Sequence, residues 1–89
     1  MMLPNDAVEY ARTATFDENT VPEKLLKDHN LKAGAWGLLV VEEGSLELVF
    51  DSRTERIGAG QAAVIPPIEL HHVRPLGAVR FYVIFHRLP

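Results

Sequence analysis

The stretch WGLLVVEEGSLELVF, residues 36–50, decides the fold class of this chain. Its first part, WGLLVV, is a nearly continuous apolar run, which is typical of a strand that is covered on both faces or leads into a core. EEGS favours a tight turn, and LELVF alternates so that Leu46, Leu48 and Phe50 share one face. The stretch therefore predicts two strands joined by a turn.

The residues after Phe50 continue this pattern of short apolar runs separated by turn-forming residues. DSRT predicts a turn, and ERIGAGQAAVIPP predicts a short strand, a turn at Gly58–Gly60 and a strand over 61–65. Pro66 ends that strand because proline cannot donate a ladder hydrogen bond. Two further strands, LHHVRP and AVRFYVIFHRL, are separated by a turn at Pro75–Gly77.

The N-terminal third of the chain is less regular. Its first residues are extended, and Thr20 followed by VPEKLLK predicts a short helix with Leu25 and Leu26 on its apolar side. The helix must be brief, because Gly34 follows in the stretch NLKAGAWG.

The predicted elements together indicate an all-β protein. Roughly six or seven short strands with Gly and Pro between them are typical of a sandwich or a small barrel. A parallel α/β sheet would need crossover connections of about a dozen residues or more, for which the chain has no room. In the last strand, one face is formed by Val79, Phe81, Val83 and Phe85. We therefore predict one all-β domain over residues 1–89.

Composition limits the partners of this chain. Its formal net charge of −3 disfavours nucleic-acid binding, which needs a basic face. The absence of cysteine excludes disulfides and zinc–cysteine sites. No apolar run approaches the roughly 18–20 residues that cross a bilayer, and MMLPNDAVEY lacks the features of a secretory signal. We expect a cytoplasmic protein without nucleic-acid or membrane partners.

The stretch GQAAVIPPIELHH, residues 60–72, contains Gly60, Pro66 and His71 with the spacing Gly-x5-Pro-x4-His. This spacing resembles the second characteristic motif of the cupin superfamily, in which the histidine points into a barrel and ligates a metal ion. Ile68 stands where the cupin turn usually has a glycine. The resemblance implies a small cupin-like β-barrel, a jelly roll or double-stranded β-helix, with His71 facing its interior.

The stretch HNLKAGAWGLLVVEEGSLEL resembles the first cupin motif in part. That motif normally supplies two histidines, a glutamate and a closing glycine, and His29 and Gly44 match the first and the last of these. Leu31 replaces the second histidine, and Ala35 or Trp36 takes the place of the glutamate. The usual set of three histidines and one glutamate is therefore incomplete.

A second resemblance is more specific. VPEKLLKDHNLKAGAWGLLVVEEGSLELVF, together with IPPIELHHVR and RFYVIF, resembles the small cupin-like domain at the N-terminus of tellurite-resistance TehB proteins. The same domain occurs alone in YeaR-like proteins. The resemblance covers approximately residues 16–85, and its most specific part is HN-x-K-x-G-x-WG followed by PP-x3-H. It implies a role in a tellurite, oxyanion or other stress response.

Histidines are the candidate metal ligands. His71 and His72 must point to opposite faces of an extended strand, so only one of them can face the interior. His29 and His71 fall where the resembling folds place pocket residues. Neutral imidazole ligates zinc, iron or nickel, so we expect these two side chains to contribute to a divalent metal site.

The remaining ligands are left open. Protein zinc sites typically use at least three protein ligands, and the third would come from His86, Glu47 or Glu69. Trp36 has two interpretations, a core or barrel-mouth aromatic or a pocket wall against a bound small molecule. No pattern in the sequence assigns a catalytic residue.

Two functional hypotheses follow. The first is a metal-binding cupin-like protein that uses His29, His71 and His86, and whether it is an enzyme stays open. The second is a metal-free module that binds or senses a small organic ligand, and the incomplete cupin ligand set favours it over a dioxygenase-like cupin. We also expect a homodimer, because a small sheet has edge strands to protect.

Overall fold

The computed structural model describes residues 2–89, which form one antiparallel sheet built on two long strands. The elements in chain order are β1 (Val8–Arg12), β2 (Phe16–Asp17), a 3₁₀ turn (Glu23–Leu25), β3 (Ala35–Phe50), β4 (Thr54–Gly58), β5 (Ala62–Ile65) and β6 (His71–Arg87). Valine and phenylalanine, which fit a pleated sheet well, are concentrated in β3 and β6. The predicted all-β class is confirmed.

Strands β3 and β6 pair along their whole length, from Ala35 opposite Arg87 to Phe50 opposite His71. The other strands pair with parts of these two. Strand β5 lies along the first half of β3 and β4 along the second half, while β1 and β2 both pair with β6. The pairing within residues 2–89 does not join the edge strands β1 and β4, so the closed barrel stays an expectation.

The predicted N-terminal helix is wrong. Only Glu23–Leu25 form a 3₁₀ turn, which follows Pro22 in an extended conformation. A helix this short does not recover the cost of its first turn without a packed partner. After this turn, the chain contacts the start of β6, where His29 and His71 form an antiparallel bridge with two backbone hydrogen bonds.

The turns predicted at EEGS and at Pro75–Gly77 are also wrong, because β3 and β6 continue through them. The register shifts between Val41 and Glu43 and again between Gly44 and Leu46, so both strands bend without reversing. Gly44 has a φ of +72°, and a Cβ there would lie 1.9 Å from the Ala78 carbonyl oxygen. Glycine is therefore required where the two backbones approach.

One face of the sheet carries the core, as the alternation predicted. Leu46, Leu48 and Phe50 are buried together, and so are Phe81 and Val83 from β6. None of the helical elements within residues 2–89 has the length and hydropathy of a membrane-crossing helix.

Candidate functional site

A cavity of about 230 Å³ opens between the inner face of the sheet and residues 24–31, which we call the covering segment. Strands β3, β5 and β6 form its floor. The lining side chains are Thr13, Lys24, Leu25, His29, Asn30, Leu31, Leu39, Ile65, His71, Val73, Val83 and Phe85. Most of the wall is apolar, and the polar groups are few and convergent, which is the usual composition of a small-molecule site.

Backbone hydrogen bonds attach the covering segment to the sheet. The His29 N–H donates to the His71 carbonyl at 3.0 Å, and the His71 N–H donates back to His29 at 2.9 Å. The Ile68 N–H also donates to the Leu31 carbonyl at 2.9 Å. On the outer side, His72 Nδ1 donates to an Asp28 carboxylate oxygen at 2.8 Å.

This attachment brings the two sequence-predicted histidines together. The ring centroids of His29 and His71 are 4.2 Å apart, with an angle of 60° between the ring planes. His71 is only 1% exposed, whereas its neighbour His72 is partly exposed on the opposite face. His29 is half-buried, and both it and His71 line the cavity.

Backbone carbonyls set the tautomer of both rings. Nδ1 of His71 lies 2.9 Å from the Glu69 carbonyl oxygen, and Nδ1 of His29 lies 3.0 Å from that of Lys27. Because a carbonyl oxygen only accepts, each Nδ1 carries the proton. In the neutral ring Nε2 is then a hydrogen-bond acceptor, so the site holds two adjacent acceptors.

The buried member of the pair is held neutral. Burial lowers the pKa of His71 from its ordinary value, and the neighbouring His29 lowers it further. The hydrogen bond to Glu69 opposes this shift without cancelling it, so the pKa of His71 remains below the ordinary value. His71 is therefore uncharged at neutral pH and presents a lone pair.

An ion-pair network lies next to His71, and no motif in the sequence indicates it. Arg53 donates two hydrogen bonds to the Glu69 carboxylate, at 3.0 and 3.2 Å, and its guanidinium lies 3.7 Å from the Phe50 ring centroid. The backbone carbonyl of the same Glu69 accepts a hydrogen bond from His71 Nδ1–H. Its carboxylate is engaged by Arg53 and does not line the cavity.

The structure does not bring the other sequence-predicted residues to this cavity. Trp36 and His86 are cross-strand neighbours in β3 and β6. Trp36 lies three positions before the inward-facing Leu39, and His86 directly follows the inward-facing Phe85. Both side chains therefore lie on the outer face of the sheet. His86 Nδ1 is buried there without a hydrogen-bond partner among the described residues.

The side chains at this cavity provide too few ligands for the metal ion that the cupin resemblance implied. No group of three His, Cys, Asp or Glu side chains within residues 2–89 is arranged to hold a metal ion. Glu47, the remaining candidate, bonds Arg74 outside the cavity lining. Two imidazoles are one ligand fewer than protein zinc sites typically use.

Sequence reasoning missed several lining residues. Leu25 was assigned to a helix, and Leu31 was noted only as the replacement of a histidine. Asn30 and Thr13 drew no attention because isolated polar residues carry no periodic signal. Strand alternation predicts that Phe85 shares a face with Val83, and both residues line the cavity.

Comparisons with known proteins agree with this architecture. A family model described as TehB-like domain matches residues 11–83. A crystal structure of a protein from E. coli strain K12 superposes with a TM-score of 0.94 at 22% identity, covering 100% of this chain and 98% of that one. The search of curated protein sequences found no match.

Two other solved structures extend the comparison. TehB from Haemophilus influenzae superposes with a TM-score of 0.87 at 20% identity, covering 94% of this chain and 32% of that one. A cupin-2 domain containing protein from Shewanella frigidimarina has a TM-score of 0.58 at 18% identity, covering 93% and 72%. At these identities the likeness establishes the cupin-like fold, and this chain spans about a third of the length of that TehB.

Proposed function

This chain belongs to the TehB-like domain family, and we propose that it is a cupin-like module that binds a small organic molecule without a resident metal ion. One observation carries the proposal. The cavity under the covering segment has apolar walls and ends at two adjacent imidazoles, His29 and His71, whose Nδ1 atoms are engaged by carbonyls. Such a site orients a ligand through a few hydrogen bonds and binds it through apolar contact.

The size of the cavity supports a small ligand. An apolar cavity of about 150 Å³ is enough for benzene, and this one measures about 230 Å³. That volume admits one ring with a short substituent. Drug-sized molecules usually occupy larger pockets.

A thermal-shift screen tests the proposal, because any ligand that binds only the folded state raises the melting temperature. We expect stabilisation by small organic compounds and no change with divalent metals or a chelator. His29→Gln should reduce the response, whereas His72→Gln, on the outer face, should leave it intact. A response to metals alone, reversed by chelator, would contradict the proposal.

Metal binding is a second candidate, favoured by one specific observation. Histidines that bind metals commonly donate their other ring N–H to a carbonyl or carboxylate, and both His29 and His71 do so. We propose that zinc, iron or nickel would bind here only if a ligand or solvent completed the coordination. The test is elemental analysis of protein purified without a histidine tag, compared with His29→Ala and His71→Ala. Metal near one equivalent in the parent and absent in both variants would establish this candidate.

A role in tellurite, oxyanion or other stress response is a proposal that rests on family membership. Neutral Nε2 atoms accept hydrogen bonds and therefore do not favour a bare oxyanion. Growth of a deletion strain on tellurite, complemented with the parent or His71→Ala, tests the role. If the parent and His71→Ala restore growth equally, the role does not depend on this cavity.

We also propose a homodimer formed through β1. This strand pairs on one side with β6 alone among the described residues, and Val8 and Tyr10 are about half exposed. Free edges of this kind pair with other strands unless they are protected. Light scattering at tens of micromolar should give the dimer mass, and Tyr10→Lys should reduce it. A monomer for the parent chain would refute the proposal.

A further inference from the structure

The polar groups of the cavity differ in depth, and the difference bears on which ligand it takes. His71 is the most buried of the polar lining residues, at 1% exposed, and we call its part of the cavity the inner end. His29 is half-buried, and Lys24 and Asn30 are exposed at the rim. The single cationic side chain among the lining residues therefore lies at the outer end.

The inner end favours a hydrogen-bond donor from the ligand. His29 and His71 both present Nε2 as an acceptor, because their Nδ1 atoms are bound to carbonyl oxygens. The Thr13 hydroxyl does not serve them, because it donates to Ala14 and accepts from the Val83 N–H. A hydroxyl on the ligand would donate its one proton to either Nε2 atom, while an ether or a carboxylate would place one acceptor against another.

The outer end favours an anionic group. Lys24 forms no ion pair with the other residues from 2 to 89, whereas the neighbouring Lys27 pairs with Glu23 at 2.9 Å. An ammonium at the rim attracts a carboxylate without having to be desolvated. Most of the remaining wall is hydrocarbon, from Leu25, Leu39, Ile65, Val73, Val83 and Phe85.

We propose that the ligand is a small hydroxy acid with a hydrocarbon body, its hydroxyl directed at His29 and His71 and its carboxylate at Lys24. This inference rests on the proposed ligand-binding function and adds the chemical class of the ligand. The groups of such a ligand match the lining: a donor for the buried imidazoles, hydrocarbon for the apolar wall and an anion for the exposed Lys24.

Four matched probes separate the contributions of the two polar ends. They are para-hydroxyhydrocinnamate, hydrocinnamate, para-propylphenol and propylbenzene, which share one ring and a three-carbon chain. NMR-detected titration of the full chain should rank the hydroxy acid first. The hydroxyl should improve affinity about three- to tenfold, as one net hydrogen bond does. The carboxylate should improve it about two- to fivefold, and this gain should fall with added salt.

Two lysine variants assign the outer end. Lys24→Gln should abolish the preference for para-hydroxyhydrocinnamate over para-propylphenol. Lys27→Gln is the matched control, since Lys27 lies on the same segment but does not line the cavity, and it should retain the preference. His29→Gln should reduce the hydroxyl preference, because only His71 then keeps its imidazole acceptor, and thermal denaturation of each variant verifies that it is folded.

Each remaining outcome has one meaning. If none of the four probes binds, the hydroxy-acid inference is overturned, and the thermal-shift screen decides separately whether the cavity binds another organic molecule. If propylbenzene binds as tightly as the hydroxy acid, the class is wrong and the ligand-binding function stands. If Lys24→Gln leaves the carboxylate preference unchanged, Lys24 is not its partner and the inference is overturned.

Discussion

The interior of this sheet has a packed end and a hollow end, although the same two strands build both. At the packed end, Leu46 and Phe81 have no exposed surface, and Phe16 packs its ring against Phe81 with centroids 5.8 Å apart. At the hollow end, β6 places His71 and Val73 against a cavity closed by the covering segment.

The difference lies in what covers each end. The packed end is surrounded by strands, whose alternating side chains meet as apolar layers. The hollow end is closed by residues 24–31, which have no regular period and contribute polar and apolar side chains side by side. Because this segment does not pack as a regular apolar layer, it leaves a cavity against the sheet and places polar side chains beside it. In this fold, regular alternation produces stability and the irregular segment produces the site.

The largest contrast between the two ends should come from truncation. Phe81→Ala removes a fully buried ring at the packed end and should lower the free energy of unfolding by about 3–5 kcal/mol. Leu31→Ala at the hollow end should cost about 1 kcal/mol, because this side chain is only partly buried and already borders empty space. Urea denaturation of both variants measures the difference. Equal losses would mean that the cavity is filled in solution.

Adding a methyl group should destabilise the packed end more than the hollow end. Val41→Ile introduces volume where packing is complete and should cost about 1–3 kcal/mol. Val73→Ile points the same added volume toward the cavity and should cost less than about 1 kcal/mol. The same denaturation experiment compares them, and a larger loss for Val73→Ile would contradict the placement of the cavity.

The hollow end should also be sensitive to pH through His71. Its pKa is lowered in the folded state from the ordinary value of 6.5, so below about that pH the unfolded chain binds a proton that the folded chain does not. Stability should therefore fall as the pH drops from 6.5 toward the folded-state pKa. The measurement is the free energy of unfolding at neutral and acidic pH. His71→Gln removes this contribution while leaving the carboxylates in place, so an unchanged pH slope in that variant would exclude His71 as the source.

The smallest effect is expected at the rim of the hollow end, where Ile68 adopts a φ of +72°. A β-branched residue in this conformation is strained by about 1–2 kcal/mol. Ile68→Gly should relieve the strain, and after the greater entropy of glycine in the unfolded chain is subtracted, stability should rise by up to about 1 kcal/mol. Ile68→Val is the control and should give no gain. Destabilisation by Ile68→Gly would mean that this exposed side chain makes contacts that offset the strain.

Much of the fold could be predicted because it depends on local alternation. The inward sets around Leu48 and Phe81 follow from the period of two, and Ile68 at a positive φ agrees with the expected glycine position of the cupin-like turn. The EEGS prediction was wrong for a physical reason. A glycine can mark a reversal or a bulge with equal local chemistry, and only the partner strand at Ala78 decides between them.

The site was predictable only in part. Motif resemblance singled out His29 and His71, but it also suggested His86 as a ligand and Trp36 as a pocket wall. The last two lie on the outer face because β3 and β6 pair in a register that sets Trp36 opposite His86. A sequence does not state the register between distant strands, and a shift of one residue would exchange the two faces.

The amino-acid sequence by itself determined the all-β class, the alternation that separates core from surface, and the family resemblance, since all of these depend on neighbouring residues. The tertiary structure alone decided that two imidazoles meet over an apolar cavity, because a bridge between the covering segment and β6 holds them there. It also decided which nitrogens remain free to accept a hydrogen bond, since the backbone carbonyls of Lys27 and Glu69 engage the others. Contacts between residues far apart in the chain have no local signature, and for that reason the chemistry of the site emerged only when the chain was folded.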